Sequence, residues 1–181
     1  MAEMAAPDGV FSGYASLFGV EDLARDVILP GAFGKSLKQR GAGGVKLLWQ
    51  HDPAQPVGEW LDIREDARGL RVEGRILTEL ERGRELLALM RAGILDGLSI
   101  GFRTVRANAA GRTGTRRLAE VDLWEISLVT FPMLADARVS RVGENKSGTF
   151  GGREPAGTGL AERMRAAAGS LAKERIEQRC R

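Results

Sequence analysis

Residues 97–102, Gly-Leu-Ser-Ile-Gly-Phe, set one hydroxyl between two glycines inside an apolar run. In an extended chain successive side chains point to opposite faces, so Leu98, Ile100 and Phe102 share a face and Ser99 points away from them. The glycines remove side-chain bulk beside the serine, so another backbone or a substrate can come close. Such a stretch is a strand with one buried face. Its polar position suits a nucleophilic serine, and it also suits an ordinary tight strand crossing. The six residues alone favour the crossing.

The rest of the chain reads mainly as strands. Apolar or alternating segments at 10–18, 25–29, 45–50, 57–64, 70–77, 97–105 and 118–130 predict about seven of them. Residues 65–69 form the turn of an antiparallel hairpin, and Pro53 is expected to stop strand pairing just after His51. Residues 32–39 predict a short helix with Phe33 and Leu37 on one face. A second helix is expected to begin at Thr78 as N-cap, with Glu81 completing a capping box and Gly93 as its stop. Leu80, Leu87, Met90 and Ile94 fall on one face of it. These elements predict an α+β, mainly β fold: a closed or nearly closed antiparallel β-barrel flanked by helices. There are too few β-α-β alternations for a doubly wound sheet.

Three regions follow from the pattern. Residues 1–142 form the folded domain. Residues 143–159 hold six glycines and no apolar period, which predicts a flexible linker. Residues 160–181 predict a basic amphipathic helical tail, an anchor for a partner chain and one that self-cleavage in the linker would release.

Charge and cysteine usage narrow the function. The tail carries six Lys/Arg and three Asp/Glu, which accounts for the whole net charge of +3. The body is balanced, so nucleic acid is not an expected partner. No apolar run reaches the ~20 residues of a membrane span, and the start does not read as a secretory signal. One cysteine (Cys180) and one histidine (His51) make a disulfide framework or a His/Cys zinc site unexpected, and no metal or cofactor is predicted. A reducing cytoplasmic setting is the expectation.

Serine becomes a useful nucleophile when a base takes its proton, and His51 is the only imidazole available. Residues 97–101 spell Gly-x-Ser-x-Gly, the nucleophile elbow of α/β-hydrolases. That reading fails, because no histidine follows Ser99 and the helix precedes the serine instead of following it.

Several blocks in order, from about residue 10 to 142, carry a resemblance. They are Gly13-Tyr14-Ala15, Leu29-Pro30-Gly31-Ala32-Phe33, Leu48-Trp49-Gln50-His51-Asp52, Gly83-Arg84-Glu85-Leu86-Leu87, Asp96-Gly97-Leu98-Ser99-Ile100-Gly101-Phe102 and the run 120–132, Glu-Val-Asp-Leu-Trp-Glu-Ile-Ser-Leu-Val-Thr-Phe-Pro. Together they resemble the prohead serine proteases of tailed bacteriophages, a family also found in gene transfer agents and similar in fold to the herpesvirus assemblins. The resemblance implies an endopeptidase that removes the scaffolding segment of the major capsid protein, and often cuts itself, inside the immature capsid in the host cytoplasm. Its implied partners are the capsid protein and other protease chains.

On that pattern Ser99 is the nucleophile and His51 the general base. Assemblins orient the base with a second histidine, which is lacking here, so an acidic group is expected in its place. Glu125 is the first choice: alternation puts it with Val121 and Leu123, pointing inward, where an imidazolium would be its partner. Asp122 and Glu120 are the reserves, and a structural pairing of Glu125 with Arg103 is the rival. Ser127 and Ser16 read as packing residues, Trp49 and Trp124 as core or pocket walls, and Asp52 as a turn residue. The competing function is a catalytically idle capsid-assembly or scaffold protein that keeps the fold. The presence of both Ser99 and His51 argues against it.

Overall fold

The computed structural model describes residues 9–108 and 114–143. The expected tail, and the linker from residue 144 on, lie outside the described residues. Within them the chain forms one curled sheet of eight strands: β1 (Val10–Leu17), β2 (Asp26–Ile28), β3 (Lys46–Trp49), β4 (Asp52–Glu65), β5 (Gly69–Ile76), β6 (Gly97–Asn108), β7 (Arg116–Val129) and β8 (Val139–Val142). Two helices, α1 (Gly34–Arg40) and α2 (Glu81–Arg91), accompany it.

Neighbouring strands run in the order β8-β1-β5-β4-β3-β7-β6. Residues 137–139 bring the two ends together. Leu98 N–H donates to the Ala137 carbonyl (2.9 Å), Val139 N–H to that of Asp96 (2.7 Å), and Tyr14 N–H to that of Arg138 (3.0 Å). The result is the nearly closed, mainly β barrel that the strand pattern predicts.

Two pairings differ from an all-antiparallel barrel. β7 is long enough to take two short strands end to end on one edge, both parallel to it. Asp26–Ile28 lies against Arg116–Leu118, and Lys46–Trp49 against Glu125–Leu128. The first is pinned by Arg116, which grips the buried Asp26 carboxylate with Nε (2.7 Å) and Nη2 (2.5 Å). Such fork-to-fork pairs combine charge with fixed geometry.

The core follows from period-2 patterning. Along β5, Leu70, Val72 and Ile76 are buried while Arg71, Glu73 and Arg75 face out. Phe11 and Trp60 meet edge to face at 5.6 Å inside the barrel. Phe33, fully buried, seals the end beside α1, where the Glu65 carboxylate accepts the N–H groups of Gly31 (3.0 Å) and Phe33 (2.8 Å).

Helix α2 starts later than its sequence implies. Thr78 is not the cap: Leu77 N–H still pairs with Val57 and a turn back to Leu77 follows, so Leu80 becomes the N-cap without a side-chain bond. Leu80 and Ile94 are exposed, and the buried face is Gly83, Leu86, Leu87 and Met90. Gly93 ends the helix at φ +67°, as expected.

Gly83 lies so close to the preceding turn that a Cβ would fall on the Leu77 carbonyl oxygen and 2.8 Å from its carbon. Alanine normally gains ~1 kcal/mol over glycine inside a helix. Here Gly83→Ala is expected to destabilise by about 1–3 kcal/mol instead, the usual cost of overpacking. A urea titration measures the sign.

Candidate active site

β6 and β7 pair antiparallel, with Ser99 opposite Ser127 and Gly101 opposite Glu125. Directly opposed residues project to the same face. Leu98, Ile126 and Leu128 are fully buried in the barrel core, so these four residues share the other face.

Glu125 does not point inward beside Leu123. The register shifts between Gly101 and Phe102, so Gly101 faces Glu125 while Phe102 faces Leu123. Trp124 is the extra residue of this bulge, which re-aims everything after it. Leu123 and Ile126 both remain buried, and Glu125 moves to the Ser127 side. Trp124 becomes half-exposed rather than a core wall, its indole N–H donating to Asp122 (2.8 Å).

The glycine after Ser99 gains a specific reason. A Cβ on Gly101 would fall on Oε1 of Glu125 and 2.7 Å from its Cδ. The carboxylate occupies the space that the missing side chain leaves.

His51 arrives from the opposite edge of β7. β3 ends with Trp49 opposite Leu128, and Trp49 also pairs with Asp52 at the start of β4. The two residues between them, Gln50 (φ +54°) and His51 (φ +60°), form a two-residue turn with both centres left-handed. Pro53 therefore does not end pairing; it is absorbed in a shift that carries the partner of Leu48 to Pro56. Non-glycine residues in this region carry strain, and the site holds them there. The His51 backbone N–H donates to Ser127 Oγ (3.1 Å).

The ring completes the arrangement. His51 Nδ1 lies 2.6 Å from Glu125 Oε1, and Ser127 Oγ donates to Glu125 Oε2 at 2.7 Å. An ionised carboxylate only accepts, so in the neutral ring Nδ1 carries the proton and Nε2 presents the lone pair. The Glu125 side chain is 13% exposed and that of His51 43%, so a sheltered acceptor holds a solvent-accessible ring.

Ser99 is 5% exposed, and no hydrogen bond ties its Oγ to another described residue. No fully covered side-chain polar atom lacks a partner among the described residues, so this oxygen keeps open surface. Three adjacent strands thus bring a free hydroxyl, a carboxylate and an oriented imidazole to one region.

The other acidic candidates are occupied elsewhere. Asp122 accepts from Arg40 Nε (3.2 Å) and Nη2 (2.7 Å), with Arg103 at 3.6 Å. The Arg40 bonds, then that of Trp124, hold its carboxyl below the usual range. Glu120 faces Lys35 at 3.1 Å and Arg106 at 4.0 Å. Arg103 pairs with Asp122, not with Glu125.

Ser127 reads from the sequence as a packing residue, yet its hydroxyl bonds both the His51 backbone and Glu125. Its spacing of two from Glu125 on a strand was the available signal, because it puts both on one face. No group of three or more His, Cys, Asp or Glu among the described residues is placed to hold a metal ion.

Residues 2–149 match the Caudovirus prohead serine protease family. The chain belongs to this family. The prohead protease of Enterobacteria phage HK97 is 34% identical over 134 residues, which are 73% of this chain and 59% of that protein. The prohead protease of Escherichia phage T5 is 29% identical over 91 residues, 50% of this chain and 42% of that one. The chain therefore spans less than two thirds of the length of these relatives. The bacteriophage T4 capsid assembly protease matches with a TM-score of 0.51 over 66% of this chain and 80% of that one, at 18% identity. That is a likeness of fold.

Proposed function

We propose that this member of the prohead protease family is a serine endopeptidase of capsid maturation, with Ser99 as nucleophile, His51 as general base and Glu125 as the group that orients it. The observation carrying this reading is the Glu125–His51 contact of 2.6 Å on the face shared with Ser99. His51 Nε2 takes the proton as Ser99 Oγ attacks the scissile carbonyl. Glu125 stabilises the imidazolium that forms, and the ring then gives the proton to the leaving amine. Water repeats the sequence on the acyl-enzyme.

The proposed substrate is the scaffolding segment of the major capsid protein, with self-cleavage as a second reaction. The proposed setting is the immature capsid of a phage or gene transfer agent in the host cytoplasm. Other protease chains are proposed as further partners. Co-expression with a major capsid protein from the same source tests the reading: its mass is expected to fall with the wild-type chain and stay unchanged with Ser99→Ala. An uncut capsid protein in both cases would favour an idle assembly protein.

Asp122→Asn discriminates among the carboxylates. Its partners are Arg40, Arg103 and Trp124, so cleavage is expected to stay within about threefold of wild type. A larger loss in initial rate would move the orienting role to Asp122.

A further inference from the structure

A small pocket borders Ser99, its about 310 Å³ of empty space including open solvent. Its apolar walls include Leu98 and Ile100 of β6, with Ala15, Ile28, Met133 and Leu134. Four polar residues line it: Ser16, Asp22, Asp26 and Ser99.

These polar groups differ in how far they are satisfied. Asp26 has both oxygens taken by Arg116, so its charge is compensated. Asp22 accepts the N–H groups of Ala24 (2.9 Å) and Asp26 (2.8 Å), both on Oδ1. Its Oδ2 receives no hydrogen bond from another described residue. Burial, then the neighbouring Asp26 charge, raise its carboxyl above the usual range against the pull of the backbone bonds. Arg116, the cation acting on it, is already clasped by Asp26. Ser16 is 3% exposed and its Oγ, like that of Ser99, has no hydrogen-bond partner among the described residues. Neither oxygen is sealed off, so both keep surface within a pocket they line.

We propose that this pocket is the subsite for the residue whose carbonyl Ser99 attacks, and that it selects lysine or arginine through Asp22. The proposal rests on Ser99 being the nucleophile. An aliphatic stem matches the apolar walls, and a terminal cation supplies the donor that Asp22 Oδ2 lacks. A neutral side chain leaves that carboxylate unpaired, and an acidic one is repelled. A half-buried carboxylate left without its donor disfavours such analogues. The hydroxyl of Ser16 adds an acceptor on the β1 wall.

The test uses a fully randomised synthetic peptide library read by mass spectrometry, then a pair of peptides differing only in lysine or norleucine at the cleaved position. Wild type is expected to favour lysine over norleucine by about tenfold or more. Asp22→Asn is expected to bring the ratio near one. Asparagine keeps Oδ1 as an acceptor for Ala24 and Asp26, so the turn is preserved. A small fluorophosphonate without a matching side chain reports the nucleophile separately, by mass shift on the Ser99 peptide. Equal labelling in both proteins with loss of lysine preference in the variant supports the proposal. Labelling of Ser99 without preference for basic peptides, or with the same preference in Asp22→Asn, overturns it and leaves the nucleophile standing. Absence of both labelling and cleavage overturns the two together.

Discussion

Ser99→Ala and His51→Ala are each expected to lower cleavage by at least ~10⁴-fold, because nucleophile and base act as a unit and losing either removes the covalent route. Their effects on stability should differ. Ser99 Oγ has no hydrogen-bond partner among the described residues, so its removal should cost about 1 kcal/mol or less. His51→Ala deletes one of the two partners of Glu125 and leaves alanine at φ +60°, so a loss of about 1–3 kcal/mol is expected. Capsid-protein cleavage measured beside thermal melting separates the two effects. A folded Ser99→Ala protein that still trims at a near wild-type rate would end the assignment.

The next largest effect should come from the carboxylate and from the glycine that makes room for it. Glu125→Gln keeps the shape but removes the charge that stabilises an imidazolium, so kcat should fall about 10²–10⁴-fold with KM little changed. Gly101→Ala should have a comparable effect without touching a polar group, because its methyl lands on Oε1 of Glu125. The two changes act on one group, so the double variant should lose far less than the product of the single losses. Steady-state kinetics on the four proteins closes the cycle. Wild-type turnover in Gly101→Ala would show that the observed carboxylate position is not required.

Much of the fold was legible because half-buried strands announce themselves by alternation. β5 reads directly from 70–76, and the apolar face of β6 from Leu98, Ile100 and Phe102. Local patterning could not show that β7 takes two parallel partners on one edge, since pairing is decided by residues far apart in sequence. β8 is four residues long and half-buried, too short to stand out from a loop. The same limits apply to the candidate site. Residue type and family resemblance point to Ser99, His51 and Glu125, but a bulge at Trp124 breaks the alternation and turns Glu125 to the face opposite Leu123. The contacts of Ser127 appear only when the turn after β3 lies beside β7 and offers it the His51 backbone N–H. Thr78 failed as a cap because Leu77 was still hydrogen-bonded to β4, a tertiary contact that outweighs local preference.

The placement of β7 between β3 and β6 also sets a timetable. The turn holding His51 belongs to a local hairpin, whereas Lys46 must wait for Glu125 and Ser99 for Ser127. Long-range pairings of this kind form late. On the proposed assignment, a chain still emerging from the ribosome owns a base with nothing to orient it and a hydroxyl with no neighbour. On that assignment, competence is expected only once residues 116–129 pair with β3 and β6. Released chains ending before Trp124 should be inert, while released chains extending beyond Val142 should cut.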